Sequence, residues 1–422
     1  PLRFIVPLDP STRPAWMIRC GLFLYDHLAR REFLPASELV DLRAHTAGAP
    51  LQPGLTKGFA YSDVRVDDAR LVVLCAIDAR ERGARIMPRT RCEAARRTGS
   101  VWTATLADGA GRFELRARVL VNACGPWAAS FAERVAGGAG ARRLRLVKGS
   151  HIVVPCLFDH PFAYLFQGAD RRVAFAIPYE HDFTLIGTTD VDYAGEPGRA
   201  QIEPEETRYL CALANRYFRR PLGPQDVVWS YAGVRPLLDE DADASAVTRD
   251  YALEYDAGGG AALLTVLGGK ITTFRTLAEE AVDRIGARFG VRGGAWTRRA
   301  VLPGGDLTTT TRVPAAQAFE RFVADLRRRY PWLAPGLLRR WAHAYGARLE
   351  RWLGPVRSVG DLGAPVLPGL YEAELDHLVG HEWARSADDV LWRRTKLGLH
   401  VPAGQWPALQ RWLERQAGAP GR

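Results

Sequence analysis

Apolar and polar positions follow two different periods along this chain, and the changes of period mark its segments. Residues 267 to 285, LGGKITTFRTLAEEAVDRI, predict a strand end, a glycine-rich turn and an amphipathic helix. Leu277, Ala278, Ala281, Val282 and Ile285 recur at helical spacing, while Glu279, Glu280, Asp283 and Arg284 take the other positions. PAWMIRCGLFLYDHLARR (14–31) predicts a helix with proline at its first position. Its Trp16, Ile18, Leu22, Phe23 and Tyr25 serve either a core or a membrane surface with the flanking arginines as anchors. DDARLVVLCAIDARERGARI (67–86) predicts an acid-capped helix, a glycine stop at Gly83 and a new strand. VWTATLA and FELRARVLVNA predict strands joined by a hairpin turn at DGAG, residues 108–111.

The second of these runs ends in VNACGPWA (121–128), an apolar strand stopping at Gly125 before a helix start. Open α/β sheets present their carboxyl edges to ligands in this way, although an ordinary strand-to-helix turn reads the same. Residues 143 to 230 hold short strands, RLVKGSHIVVP, RVAFAIPY and FTLIGTTDVDY, the pattern of a mostly antiparallel sheet. YAGVRPLL (231–238) and LLTVLGG return to the α/β type, and from about residue 310 the chain is helical.

Composition narrows the class. The 422 residues are 47% hydrophobic and 10% aromatic, which predicts a globular chain of two or three domains. Six scattered cysteines show no CxxC and no metal spacing, which argues against disulfides, zinc and iron–sulfur clusters. No apolar run reaches membrane-spanning length. The net charge of +10 is carried by 53 arginines and four lysines, a chain-wide bias that does not form a nucleic-acid patch. Each lysine is therefore informative, and Lys148 and Lys270 sit in the glycine-rich motifs VKGSH and GGKITT. The chain opens at Pro1 in PLRFIVPL, a run typical of a domain's middle, and is read as a fragment.

Several residues carry candidate chemistry. Gly268 and Gly269 let a flat ligand approach the backbone, Lys270 adds a point charge, and Thr272 or Thr273 can cap the helix or bond the ligand. His151 heads an apolar strand beside a glycine, a serine and a lysine, and is either a core histidine or a base. Arg235, between apolar runs, pairs with a carboxylate or meets an anionic ligand; Arg249 faces the same choice, with Asp250 as a structural partner. Thr188, Thr189 and Asp190 form a polar turn or a ligand shelf. No GxGxxG opens a strand–turn–helix unit.

In order, VNACGPWA, LVKGSHIVVP, IGTTDVDY, YAGVRPLL and LGGKITTFRTLAEEA resemble the FAD-dependent glycerol-3-phosphate dehydrogenase family, within the glycine/D-amino-acid oxidase superfamily. LYEAELDHLVGHEWARSADDVLWRRTKLGL resembles that family's helical C-terminal domain. The family's N-terminal GxGxxG segment has no counterpart here. The resemblance implies an α/β fold: an incomplete FAD domain of the glutathione-reductase type, an inserted mostly antiparallel substrate domain and an all-α C-terminal domain. It implies substrate or cap region over 1–62, FAD-domain segments over 63–142 and 231–300, the substrate domain over 143–230 and the helical domain over 301–422.

It further implies FAD along Asn122, Gly125 and Trp127, with Gly268, Gly269, Lys270 and Thr272 at the flavin end. The implied reaction oxidises sn-glycerol 3-phosphate to dihydroxyacetone phosphate, with quinone as acceptor. His151, Arg235 and Lys270 are the expected catalytic residues, and Arg235 and Arg249 the expected phosphate ligands. The expected partners are a phosphate ester and an anionic membrane surface on the cytoplasmic side, with no nucleic acid; a homodimer is among the expected assemblies. The absence of cysteine after Cys211 argues against the family branch with a C-terminal iron–sulfur-type region. The alternatives are an amine or hydroxy-acid oxidase of the same superfamily, and a non-catalytic remnant or arginine-rich binding module.

Overall fold

The computed structural model describes residues 1–9, 13–28, 34–137, 144–170, 172–238, 251–258, 260–291, 293–307 and 315–418. Arg249 and Asp250 lie outside them. The chain divides into two units, residues 1–64 with 89–298, and residues 65–88 with 299–422.

In chain order the first stretch gives β1 (Leu2–Pro7), α1 (Ala15–His27), β2 (Glu38–Asp41), β3 (Lys57–Asp63) and α2 (Asp68–Glu81). There follow β4 (Arg91–Thr98), β5 (Val101–Asp108), β6 (Gly111–Ala117), β7 (Val119–Asn122) and α3 (Ala128–Arg134). Next come β8 (Leu144–Pro155), β9 (Ala163–Gln167), β10 (Val173–Tyr179), β11 (Phe183–Gly187), β12 (Val191–Asp192) and α4 (Pro204–Tyr217). The first unit closes with β13 (Trp229–Leu238), β14 (Tyr251–Asp256), β15 (Ala262–Gly268) and α5 (Phe274–Phe289).

Among the described residues, the largest sheet has nine strands in the order β12-β8-β11-β10-β9-β1-β3-β2, with β13 on the other edge of β8. Successive side chains of β8 point to opposite faces. Ile152 and Val154 therefore pack beneath α4 with Leu210, Cys211 and Ala214, while Val147, Gly149 and His151 share the other face. Ile152, Val154 and Leu210 each contribute roughly 1.5–3 kcal/mol by leaving water. Proline at the first turn of α4 and a reciprocal cap between Glu203 and Glu206 fix that helix's start.

A second sheet runs β14-β15-β7, with β15 parallel to β7 through Thr265 opposite Asn122. The third, β4-β5-β6, is antiparallel and is tied to β15 by Trp102, whose indole N–H donates to the Ala262 carbonyl at 2.8 Å. Its β5–β6 turn pairs Asp108 with Gly111, the hairpin expected from DGAG.

Several elements differ from the sequence pattern. β13 does not return to the α/β sheet; it pairs antiparallel with β8 from Trp229–Val153 to Leu238–Leu144, a continuous ladder that fixes it in the large sheet. FELRARVLVNA is two strands of two different sheets, broken at Arg118. No strand follows Gly83 before Arg91, and β4 itself, with arginines at 91, 96 and 97, carries no apolar alternation to announce it. α1 places Ile18 and Leu22 against Phe4, Val6 and Tyr61, yet Trp16 (67%), Phe23 (54%) and Leu24 (61%) are exposed. A packed stripe two residues wide thus leaves most of that helix's apolar surface uncovered.

The second unit adds α6 (Ala315–Arg329), α7 (Pro335–Tyr345), α8 (Glu350–Leu353), β16 (Pro365–Leu367), β17 (Leu370–Tyr371), α9 (Glu372–Glu382) and α10 (Trp406–Gly418). Trp341, Tyr345, Leu375, Leu378, Leu391, Leu409 and Trp412 form its core. α2 belongs to this unit and not to the 63–142 segment assigned from the sequence. The physical reason is a buried ion pair: the Arg70 Nη2 donates to the Glu382 Oε1 at 2.9 Å, with His377 at 3.5 Å from the same carboxylate.

Candidate active site

Two groups of candidate residues are held by different elements of the first unit. One is the carboxyl edge of β7 and β15. Parallel pairing brings the Cys124–Trp127 turn and the Gly268–Thr273 turn out at the same end of the sheet. Gly268 (φ 72°) and Gly269 (φ 99°) both adopt the left-handed region, which a side chain would strain. The glycines are therefore required by the backbone as well as by any close-approaching ligand.

A single turn of 3-10 helix, Ile271–Thr273, leads into α5. The Thr273 hydroxyl donates to the Lys270 carbonyl at 2.9 Å, so it does not cap α5. Lys270 and Thr272 are exposed. Asn122 is buried and donates from Nδ2 to the Ala128 carbonyl at 2.8 Å, which makes it a brace for the turn that follows β7. Trp127 donates its indole N–H to Glu196 Oε1 at 2.6 Å.

This edge fits a flat, largely apolar cofactor. The bare backbone at 268–269 is joined by exposed Val121, Trp127, Ile271 and Phe274, and nothing lies within 4 Å of where a Gly125 β-carbon would stand. A ring system laid there would cover apolar surface otherwise left in water. β13 packs beside both β15 and the Gly125–Trp127 turn, through Leu238, Leu267 and Ala128.

The second group lies on the face of β8 and β13 away from α4. Register places Tyr231 opposite His151, Gly233 opposite Gly149, and Arg235 opposite Val147, so His151 and Arg235 share a face. The His151 ring stacks on Tyr231 at 4.9 Å and lies over Gly187 of β11, where a β-carbon would stand 2.2 Å from its Cδ2. The Arg235 guanidinium lies over Gly149: a β-carbon there would be 2.5 Å from Nη2. It donates to Asp190 Oδ1 at 2.6 Å, the Thr188 hydroxyl at 2.9 Å and the Thr189 carbonyl at 3.4 Å. A guanidinium seated on Gly149 beside an imidazole seated on Gly187 can hold an oxyanion next to a proton acceptor. In front of Gly233 the space is open.

Lys148, the lysine of VKGSH, is turned to the opposite face. It is buried with its ammonium 2.9 Å from Glu203 and 3.0 Å from Glu206, so it belongs to the scaffold. Burial lowers its proton affinity, and the two carboxylates more than offset this, leaving it above the ordinary lysine range.

The structure brings His151 and Arg235 onto one face and the two glycine-rich turns to one sheet edge, while Tyr231, Gly149, Gly187 and Glu206 are neighbours that the sequence did not single out. Glycines inside strands were the available signal, because a strand gives up side-chain packing there for a close approach.

Comparison with known proteins identifies the family. Residues 1–275 match the FAD dependent oxidoreductase family, and residues 295–415 match the C-terminal domain of alpha-glycerophosphate oxidase. A glycerol-3-phosphate dehydrogenase of Pseudomonas aeruginosa is 48% identical over 99% of this chain and 80% of its own length. The aerobic glycerol-3-phosphate dehydrogenase of Escherichia coli is 44% identical, over 98% and 81%. A D-erythritol 1-phosphate dehydrogenase of Brucella abortus is 43% identical, over 98% and 82%. The crystal structure of a Bacillus halodurans glycerol-3-phosphate dehydrogenase complexed with FAD superposes with a TM-score of 0.77 at 25% identity, over 98% of this chain and 77% of that one. The chain belongs to the FAD-dependent oxidoreductase family and carries its α-glycerophosphate oxidase-type C-terminal domain.

Proposed function

We propose that this protein oxidises sn-glycerol 3-phosphate to dihydroxyacetone phosphate. The observation that carries the reading is the Arg235 guanidinium fixed over Gly149 on the same face as His151. A phosphate ester of a small polyol needs a cation for its anionic end and an acceptor for the hydroxyl proton, and these are the groups present. The relatives named for glycerol 3-phosphate supply the substrate class. FAD, when bound, supplies the two-electron acceptor for the hydride that leaves C2.

The chain's own residues do the rest. His151, oriented by Tyr231, takes or orients the C2 hydroxyl proton. Arg235 stabilises the developing alkoxide or holds phosphate, and its pairing with Asp190 keeps the guanidinium in one orientation. Lys270, on the exposed turn after β15, would contribute positive charge at the flavin end. Gly268, Gly269 and Thr272 with Gly125 and Trp127 would supply the backbone and apolar surface that hold the ring system, with Asn122 bracing the turn. Arg249 is assigned to phosphate from its sequence context alone.

Quinone is the final acceptor in this reading, and attachment to the inner face of the cytoplasmic membrane is peripheral. Exposed Trp16, Phe23 and Leu24 on α1 and the net charge of +10 support the attachment. Among the described residues no helix is long and apolar enough to cross a membrane. A second reading, oxidation of a four-carbon polyol phosphate, is favoured by the open space before Gly233 and by the Brucella abortus relative.

A steady-state screen of the FAD-loaded protein with a quinone analogue tests both. Turnover with sn-glycerol 3-phosphate well above that with D-erythritol 1-phosphate, glycerol or glycine is expected. Preference for erythritol phosphate selects the second reading, and preference for glycine overturns both.

A further inference from the structure

Glu206 touches neither His151 nor Arg235, yet its carboxylate joins the segments that carry both. It is 6% exposed, on the α4 side of β8. It accepts from the Thr189 hydroxyl at 2.6 Å, the Ser150 hydroxyl at 2.8 Å and the Glu203 amide at 2.9 Å, with the Lys148 ammonium at 3.0 Å. The Thr189 hydroxyl in turn accepts the Ser150 amide at 2.9 Å. Ser150 precedes His151. Thr189 lies between Thr188 and Asp190, and the Arg235 contacts at 2.6, 2.9 and 3.4 Å all come from that turn.

A buried carboxylate and ammonium cost desolvation that apolar residues of similar size would avoid, so the pair is weak support for stability as such. What it supplies is direction. Burial pushes the Glu206 carboxyl up, and the bonds from Thr189, the Glu203 amide, Lys148 and Ser150 more than offset it, so it is held ionised. An ionised oxygen shared by two hydroxyls from two segments fixes their spacing more tightly than a neutral acceptor does.

We propose that Glu206 is a positioning residue for substrate binding, setting the 188–190 turn through Thr189 and thereby the orientation of the Arg235 guanidinium. The proposal rests on the reading of Arg235 as the cation that meets substrate. It extends the functional unit through β8 to the helix behind it. Thr189, the Glu203 amide and Lys148 together keep Glu206 charged, and through Lys148 the glycine-rich VKGSH run contributes on both of its faces.

The test is a double-mutant cycle in the FAD-loaded protein, using Thr189→Val, which cuts the link while leaving the Lys148–Glu206 pair intact, and Arg235→Ala. Thr189→Val should lower kcat/KM for sn-glycerol 3-phosphate by roughly ten- to a hundredfold, mainly through KM, as a displaced binding group does. Thr189→Ser keeps the hydroxyl and should stay within about threefold of the parent. In the Arg235→Ala background, Thr189→Val should add less than about twofold, because its effect travels through the missing guanidinium. If Thr189→Val does not fold, Glu206→Gln is read in the same cycle. Losses that multiply in the double variant, or a Thr189→Val protein with parental KM, overturn the proposal. Parental kinetics for Arg235→Ala alone overturn the reading of Arg235 itself, a result separable from multiplied losses.

Discussion

Adding one carbon at Gly149 should disable Arg235 while leaving the fold in place. The new β-carbon would stand 2.5 Å from Nη2 and 2.7 Å from both Cζ and Nη1 of Arg235. Ordinary carbon contacts lie at about 3.5–4.0 Å, so the guanidinium must retreat by about 1 Å. Its bonds to Asp190 at 2.6 Å and Thr188 at 2.9 Å cannot both survive that move. A misplacement of this size costs about a hundredfold in rate, or about 2.7 kcal/mol of transition-state stabilisation. Overpacking a closed core costs about 1–3 kcal/mol, and the lower end applies here because the arginine side chain is 28% exposed and can swing outward. The assay is kcat/KM of the FAD-loaded Gly149→Ala protein, read beside its thermal melt. Gly233→Ala is the companion: no heavy atom lies within 4 Å of its new carbon, so any loss there reports a clash with substrate. Parental kcat/KM in Gly149→Ala, or a loss matched by collapse of the melt, would refute the placement of Arg235 in the site.

Other consequences are as direct. Lys270→Met should cut turnover by about tenfold or more with an unchanged melting temperature, because Lys270 is exposed. Arg70→Met should destabilise the second unit by about 3 kcal/mol in a denaturant titration, since it removes the two-pronged partner of the buried Glu382 carboxylate and leaves only the longer His377 and Arg394 contacts. Burial pushes the Glu382 carboxyl up, but His377 and Arg70 outweigh it and bring it from 4.5 down to about 2. A depressed carboxylate stabilises above its unfolded value, so this contribution should fade as pH falls from about 4.5 towards 2, and Glu382→Gln should flatten that part of the stability profile. Trp16→Glu with Phe23→Glu should abolish sedimentation with anionic vesicles, and retained binding would remove α1 from the membrane reading.

How much of this was legible in the sequence depended on distance along the chain. The two-residue hairpin at 108–111 and the glycines at 268 and 269 are local backbone demands, and local patterns announce them. The order of VNACGPWA, VKGSHIVV and GGKITT drew the resemblance that the family matches over 1–275 and 295–415 bear out, FAD included. Arg235 was correctly singled out as needing a carboxylate or an anion, but the choice of Asp190, 45 residues away, required the fold. The Arg70–Glu382 pair spans 312 residues, and nothing near α2 hints that its partner lies in the C-terminal unit. β13 was misplaced because its own pattern is compatible with either sheet, and only the ladder with β8 decides. Glu206 reads in sequence as one more acid of a helix's first turn, and its burial alone reveals its use.

The most direct measurement of the central claim is an anaerobic titration of the FAD-loaded protein with sn-glycerol 3-phosphate, without any acceptor, followed by the flavin's visible absorption. The expected result is bleaching that ends at one equivalent of substrate, with dihydroxyacetone phosphate formed in equal amount and no bleaching by glycerol. A flavin that stays oxidised with every polyol phosphate while an amino acid or hydroxy acid bleaches it would contradict the account.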